Sequence, residues 1–378
     1  TEGRLEFKLA RGKGKVTLTD TTFAISQKIP EEVFRLGQVR VVTDLLDGGL
    51  ADVHQGTVAL GIRHIVCVPL NLVQYVDAAD AQSEDRRIGV LYLDSREKGT
   101  LLTDATRRAL ETLATEASVA IESAQLYREK LEKSKMEQEM RIAAEIQQAL
   151  MPKPFAALKF VEAAAASIPC RSIGGDFFDY LDLDGTAFGF TLGDVAGKGP
   201  PAALLSALVQ GMFASQVHGF GPAAFTTVAN QVLCRRGIES RFVTLMLGVV
   251  SMDGTLTYTN AGHNPPFVVG PSGVRRLDDG GPVIGLLEFA PYSQHTVTLV
   301  PGDTVVVFSD GVSEALDSAG EEFGDDRVLA SVQAAAGTNA QTLVRQVFDA
   351  VRDFTAGTAQ GDDITAMVIR YLGPQGAA

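Results

Sequence analysis

Two apolar, aromatic-rich runs lie within residues 171–199, RSIGGDFFDYLDLDGTAFGFTLGDVAGKG, and flank Asp184–Gly185. Asp-Gly between two such runs is the strongest short-range signal for a β-hairpin. In a hairpin folded about residue 185, facing positions sum to about 370, and Asp176 with Asp194 satisfies that sum. Cross-strand neighbours lie roughly 5 Å apart at Cβ. Two carboxylates that close repel unless a cation lies between them or one holds a proton. A hard divalent cation with oxygen ligands fits that need. Taken singly, either Asp also reads as a plain strand end.

The same alternation recurs downstream. RFVTLMLGVVSMDGTLTYTNAG predicts a hairpin turning at Asp253–Gly254, FVVGPSGVRRL one around Pro271–Gly273, and HTVTLVPGDTVVVFSDG one at Pro301–Gly302. DITAMVIRYL reads as the last strand. Between these runs the period changes to a helical one in PAALLSALVQGMFASQV, PAAFTTVANQVLCRR, DDRVLASVQAA and NAQTLVRQVFDAVRDF. Hairpins alternating with helix pairs predict antiparallel sheets covered by helices, an α+β layered architecture.

Upstream, Thr103 reads as an N-cap, and no Pro or Gly interrupts the chain from there to Met151. Leu110, Leu113, Ala117, Ala120, Ala124, Tyr127 and Leu131 follow 3-4-3-4 spacing, a heptad seam. The seam then meets Ser134, Gln138, Arg141 and Glu145. A new stripe begins with Met136, Met140, Ala143 and Leu150, beside Ile142 and Ile146. Such a discontinuity is stutter-like. It fits a dimerising signal helix with a joint near 132–139, or equally a packing helix followed by a solvated linker. Pro152 and Pro154 end the helix.

Residues 1–102 read as mixed and strand-rich. RLEFKLARG, VRVVTD, HIVCVPLNLV and RIGVLYLDS are strand candidates, PEEVFRLG a short helix, and YVDAADAQSEDRR an acidic loop. The tail GPQGAA reads as disordered.

Composition narrows the function classes. The 378 residues suffice for two domains, and 46% hydrophobic with 21% charged content is that of an ordinary globular protein. A net charge of −13 argues against nucleic acid as partner. No run reaches the length of a membrane span, so none is expected in this fragment. A chain that begins at Thr1 rather than Met reads as an excised fragment. Cys67, Cys170 and Cys234 form neither a disulfide framework nor a zinc spacing, which points to buried free thiols in a reducing, cytoplasmic compartment.

Two further acidic signals extend the first. VVVFSDG puts Asp310 at the end of a very apolar strand, and GDDIT puts Asp362 and Asp363 immediately before the last one. Asp176, Asp194, Asp310 and Asp362 thus all sit where buried strands meet loops, good mounts for a metal site. Carboxylate ligation favours Mg²⁺ or Mn²⁺ over zinc. Competing motifs fail. GDVAGKG has one residue too few for a phosphate-binding P-loop and carries Gly199 where Ser or Thr is needed. No G-x-S-x-G, H-E-x-x-H or EF-hand pattern occurs.

At these residues the chain resembles a known family. IGGDFFDY, GDVAGKGPPAALL, NAGHNPPFVV, FSDGVSEA and GDDITAMV, in that order and led by EIQQALMP, are similar to the SpoIIE/RsbU-like branch of the PPM metal-dependent protein phosphatases. The likeness spans about 141–372. It implies an αββα sandwich, two antiparallel sheets between helix layers, and a site with two Mn²⁺ or Mg²⁺ ions. Direct attack by activated water on phosphoserine or phosphothreonine is the implied reaction. By the resemblance, Asp194 bridges both ions, the main-chain carbonyl of Val195 binds one, and Asp310 and Asp362 are further ligands. Asp176 lies in the same cluster against bound water, and Asp363 stabilises the turn. An arginine at the offset of Arg171 contacts phosphate in type 2C relatives; a surface arginine is the alternative. Lys198 either attracts phosphate or solvates its loop. His263 stands where those relatives have an Asp ligand, so His263 and Asn264 read as turn residues.

Residues 1–125 resemble a partial GAF sensory domain through VCVPL, IGVLYLDS and the helix ending AIESAQLY. The expected organisation is therefore GAF-like 1–125, helical linker 126–154, phosphatase domain 155–373 and tail 374–378. The expected function is a metal-dependent serine/threonine phosphatase acting on a small phosphorylated regulatory protein of the anti-anti-sigma type. It would work as a homodimer through the linker helix, under GAF control. A non-catalytic dimeric scaffold and a ligand-binding GAF regulator are the alternatives.

Overall fold

The computed structural model describes residues 5–12, 14, 16–18, 28–43, 62–72, 87–97, 103–155, 158–217, 219–237, 241–271 and 273–374. Its contacts divide the chain into two units, residues 1–135 and 136–378. The division falls inside one long helix, within the stretch where the apolar seam changes register.

In the first unit, β1 (Ala10–Gly12) pairs with β2 (Val16–Leu18), and α1 (Lys28–Leu36) precedes β3 (Arg40–Val42), β4 (His64–Asn71) and β5 (Arg87–Ser95). RLEFKLARG supplies only its last three residues as strand; Phe7 and Leu9 remain exposed, so their alternation gains no burial. The sheet order is β3-β4-β5, all antiparallel. β4 is buried on both faces, which explains its unbroken apolar run. Ile65 and Cys67 pack with Ile29 and Val33 of α1. Val66, Val68 and Leu70 pack with Leu110 and Ala114 of α2 (Asp104–Leu150). Thr103 caps α2 by accepting the Thr106 N–H at its Oγ1, as expected. Of the acidic loop expected at 75–87, residues 75–86 lie outside the described residues, as do 375–378 of the tail, and Arg87 instead opens β5. No helix among the described residues is long and apolar enough to cross a membrane.

The second unit runs β6 (Val161–Ile168), β7 (Phe177–Leu183), β8 (Ala187–Val195), α3 (Pro200–Gln216), α4 (Pro222–Arg235), β9 (Val243–Ser251) and β10 (Thr255–Ala261). It continues with β11 (Phe267–Gly270), β12 (Gly273–Arg276), β13 (Gly280–Gly281), β14 (His295–Thr298) and β15 (Thr304–Phe308). It ends with α5 (Asp310–Ser313), α6 (Gly324–Ala334), α7 (Ala340–Thr355) and β16 (Ile364–Tyr371). One sheet has the order β13-β10-β9-β8-β7 with β14 also on β10; the other is β12-β11-β15-β16-β6.

The two sheets share a core. Tyr180, Phe188, Phe190 and Leu192 of the first meet Val305, Val307, Met367 and Ile369 of the second. On the outer face of the first sheet, Phe213 of α3 and Phe225 of α4 cover Phe177, Leu245 and Leu247. On the outer face of the second, Val328 of α6 and Val347 of α7 cover Val306, Phe308 and Val368. Each such large apolar side chain stabilises the fold by roughly 1.5–3 kcal/mol on burial. The result is the expected helix–sheet–sheet–helix layering.

The β7–β8 hairpin forms in the expected register, from Phe177 opposite Gly193 to Leu183 opposite Ala187. Asp184 and Gly185 both adopt positive φ, 57° and 69°, within a three-residue loop, 184–186, between the paired Leu183 and Ala187. The hairpin expected at Pro301–Gly302 does not form. β14 pairs with β10 in one sheet, whereas β15 pairs with β11 and β16 in the other. β15 is buried along its whole length and needs neighbours on both sides, while β14 is half exposed and suits an edge. The Asp303 carboxylate fixes the corner between them by accepting the Val300 N–H and pairing with Arg275. β6, VEAAAASI, is a strand that sequence reading misses, because alanine favours helix. Pairing with β16 overrides that preference, and small Ala164 allows close packing of α7 residues Leu343 and Val344.

Candidate metal centre

The fold brings the four aspartates to one end of both sheets. Asp176 is the residue before β7, and Asp194 pairs with Thr244 near the end of β8. Asp310 opens α5 after β15, and Asp362 and Asp363 precede β16, the neighbour of β15. Asp310 is thus the first residue of a helical turn rather than the last of a strand.

Asp363 ties the two sheets together. Its Oδ1 accepts the Cys170 N–H at 2.8 Å; its Oδ2 accepts the Gly175 N–H at 2.8 Å and the Asp176 N–H at 3.4 Å. This is the turn-stabilising role expected of it. The two glycines before Asp176 permit the approach. A Cβ on Gly174 would lie 2.3 Å from Asp363 Oδ2, and one on Gly175 would lie 2.8 Å from the Val195 carbonyl oxygen and 3.2 Å from Asp194 Oδ1. The motif IGGD is therefore a packing requirement as well as a turn.

Electrostatics mark the cluster as cation-seeking. Burial, then the charge of Asp194, pushes the Asp176 carboxyl well above the usual carboxylate range, against the opposing effect of the nearby Thr365 and Ser309 hydroxyls. Burial and then the charge of Asp310 raise Asp194 to about 6, while a hydrogen bond with Asp176 opposes that rise. Asp310 is also raised, by burial and then by Asp362. Glu314 is raised by burial and then by Asp310, which places a further carboxylate at the margin that sequence reading misses. Carboxyls raised by burial and mutual repulsion give up their protons to a divalent cation.

The donor set fits a hard cation. Asp176 Oδ2 is buried without a hydrogen-bond partner, and the missing side chain of Gly175 lets the loop approach Val195 O and Asp194 Oδ1 closely. Oxygen-rich ligation of this kind suits Mg²⁺ or Mn²⁺. Among the described residues, the group with three ligand atoms within 4.8 Å of one another is Cys170, Asp362 and Asp363. The expected ligands Asp194, Asp310 and Asp362 do not form such a group. Lys198 bridges to Asp362 Oδ2 at 2.9 Å and donates to the Gly361 carbonyl. Cys170, read from sequence as a plain free thiol, is thus a half-buried neighbour of the cluster.

The remaining candidates fall outside this ring or behind it. Arg171 is exposed and makes no hydrogen bond or ion pair among the described residues. His263 is buried, bonds Thr244 Oγ1 through Nδ1 at 2.9 Å, and is held neutral because burial pushes it down to about 4. Asn260 accepts the His263 N–H and donates to its carbonyl, while Asn264 donates to Ser313 Oγ. Both are turn residues, and His263 stands behind the Asp194 strand.

Residues 184–372 match the family model described as Stage II sporulation protein E (SpoIIE), and residues 7–121 match the GAF domain. The chain is 29% identical over 240 residues to the phosphoserine phosphatase RsbU of Bacillus subtilis, covering 61% of this chain and 70% of that protein. It is 26% identical over 263 residues to Protein IcfG of Synechocystis, covering 61% of this chain and 41% of that protein, so it spans about two fifths of IcfG. Among solved structures, the SiaA-PP2C domain of Pseudomonas aeruginosa shares the fold with a TM-score of 0.56 at 23% identity, over 63% of this chain and 98% of that one. The PP2C domain with a regulatory fragment of SpoIIE from Bacillus subtilis gives 0.50 at 21% identity, over 58% and 64%. With the family model matched across half of its length, and the acidic residues of its motifs gathered at one end of two sheets, the chain belongs to the SpoIIE family.

Proposed function

We propose that this chain is a metal-dependent phosphatase that hydrolyses phosphoserine or phosphothreonine on a small regulatory protein. The observation that carries the reading is the set Asp176, Asp194, Asp310 and Asp362 gathered at one end of both sheets, with the buried Oδ2 of Asp176 lacking a hydrogen-bond partner. In this reading Asp194, the Val195 carbonyl, Asp310 and Asp362 hold two Mn²⁺ or Mg²⁺ ions. Such ions, when bound, supply Lewis-acid neutralisation of phosphate charge and a nucleophile drawn from water. Asp176, whose buried Oδ2 has no hydrogen-bond partner, would orient that water. Asp363 holds the turn that carries Asp176. Arg171, exposed near this turn, is the candidate contact for the substrate's phosphate.

The similarity to a phosphoserine phosphatase supports a phosphoprotein substrate, and the resemblance to the RsbU branch supports an anti-anti-sigma type of partner. The exposed seam Leu113, Tyr127 and Leu131 on α2 supports a homodimer through that helix. Control by the GAF domain would reach the centre through α3, which starts five residues after Val195 and packs Ala202 and Leu205 against it. The reading is tested by Mn²⁺-dependent phosphate release from a phosphoserine peptide. Release by the chain and its loss in Asp310→Ala are expected; no release at any Mn²⁺ concentration would favour a non-catalytic scaffold.

A further inference from the structure

The loop that carries Asp176 is held from two sides. On one side stands Asp363, already described. On the other stands Gln147, in the last turn of α2 and far from the loop in sequence. Its carboxamide donates from Nε2 to the Gly174 carbonyl at 2.8 Å and accepts the Gly174 N–H at Oε1 at 3.1 Å. One side chain thus satisfies both polar backbone groups of a buried glycine, as a neighbouring strand would. Asp363 Oδ2 stands 2.3 Å from where a Cβ on Gly174 would be, so only glycine fits beside it. The next amide, Gly175 N–H, bonds that same oxygen, and the residue after it is Asp176.

We propose that Gln147 is a positioning residue of the metal centre: its two-point grip on Gly174 sets the place of Asp176 and the close approach of Gly175 to Val195 O and Asp194. The inference rests on the metal reading above and deepens it. A primary amide is required, since only it offers a donor and an acceptor in one plane. Glutamate at this position accepts the Gly174 N–H but faces the Gly174 carbonyl with a second acceptor. Methionine keeps the length and loses both bonds. The grip also makes the last turn of α2 a mechanical part of the centre, independent of any route through α3.

The experiment uses the full 378-residue chain. Mn²⁺ affinity is measured by calorimetric titration for wild type, Gln147→Met, Gln147→Glu and the control Gln148→Ala, an exposed neighbour. Amide hydrogen exchange across 171–178 is followed without metal. Both Gln147 variants are expected to bind Mn²⁺ on the order of tenfold more weakly, the usual effect of losing a residue that orients ligands. Exchange in 171–178 should accelerate in both, while exchange in β9 and β16 stays protected, which separates loosening of the loop from unfolding. Gln148→Ala should match wild type. Wild-type Mn²⁺ affinity and unchanged exchange in both Gln147 variants would overturn the inference alone. A wild-type chain that takes up no Mn²⁺ would overturn the metal reading and this inference with it.

Discussion

The ammonium of Lys198 stands 2.9 Å from Asp362 Oδ2, so the GDVAGKG turn carries its own counter-ion to a candidate metal ligand. An incoming cation must displace that contact or share the carboxylate with it. A partly exposed pair of this kind is worth up to about 1 kcal/mol. Lys198→Met is therefore expected to tighten Mn²⁺ binding by about two- to fivefold. Calorimetric titration at low ionic strength checks this; weaker binding in the variant would mean that Lys198 assists the cation rather than competing with it.

A Cβ on Gly175 would stand 2.8 Å from Val195 O, too close for any side chain, and 3.2 Å from Asp194 Oδ1. Gly175→Ala is expected to fold, because the layers on either side of the sheets are untouched, yet to lose at least tenfold in Mn²⁺ affinity, the scale on which misplaced ligands are felt. A titration curve superposable on wild type would show that the close approach of Gly175 is not needed.

Asp179 gives a pH dependence outside the centre. Burial raises its carboxyl from 3.8 to about 6, against hydrogen bonds from the Tyr180 N–H and Gln210. The unfolded chain releases this proton near 3.8 and the folded chain near 6, so between those values the folded state binds more protons. Stability from this group falls as pH rises across that window and stays low above it. Asp179→Asn should melt about 2–4 °C higher than wild type at pH 8 and with it at pH 4. Equal melting temperatures at pH 8 would contradict the buried, raised carboxyl.

Leu113, Tyr127 and Leu131 are each more than half exposed and share the 3-4 seam of α2. Leu131→Glu places a charge in that seam. Sedimentation velocity at micromolar concentration is expected to show a dimer for wild type and a monomer for the variant. A monomeric wild type would remove the coiled-coil reading.

Much of the fold is local and so readable in the chain. The register of β7 and β8 follows from the Asp184–Gly185 turn, and that register alone brings Asp176 level with Asp194. The helices begin and end where caps and prolines stand: Thr103 at α2, Pro200 at α3, Asn339 at α7. Where local preference and packing disagree, packing decides. VEAAAASI is a strand because β16 offers it a ladder and α7 needs small residues beneath it. HTVTLVPGDTVVVF looks like a hairpin, yet its halves lie in different sheets because only one of them is buried on both sides.

The sequence by itself determined which residues are chemically able to hold a cation and that one pair of them is adjacent, since turn chemistry and a period of two suffice for that. Only the tertiary structure decided what surrounds the pair. Asp363 as the loop's anchor, Cys170 and Glu314 at the margin, Lys198 on Asp362 and Gln147 on Gly174 are contacts across separations of 27 to 193 residues for the hydrogen-bonded ones. Such contacts depend on how sheets and helices stack, and no local pattern in the chain encodes them.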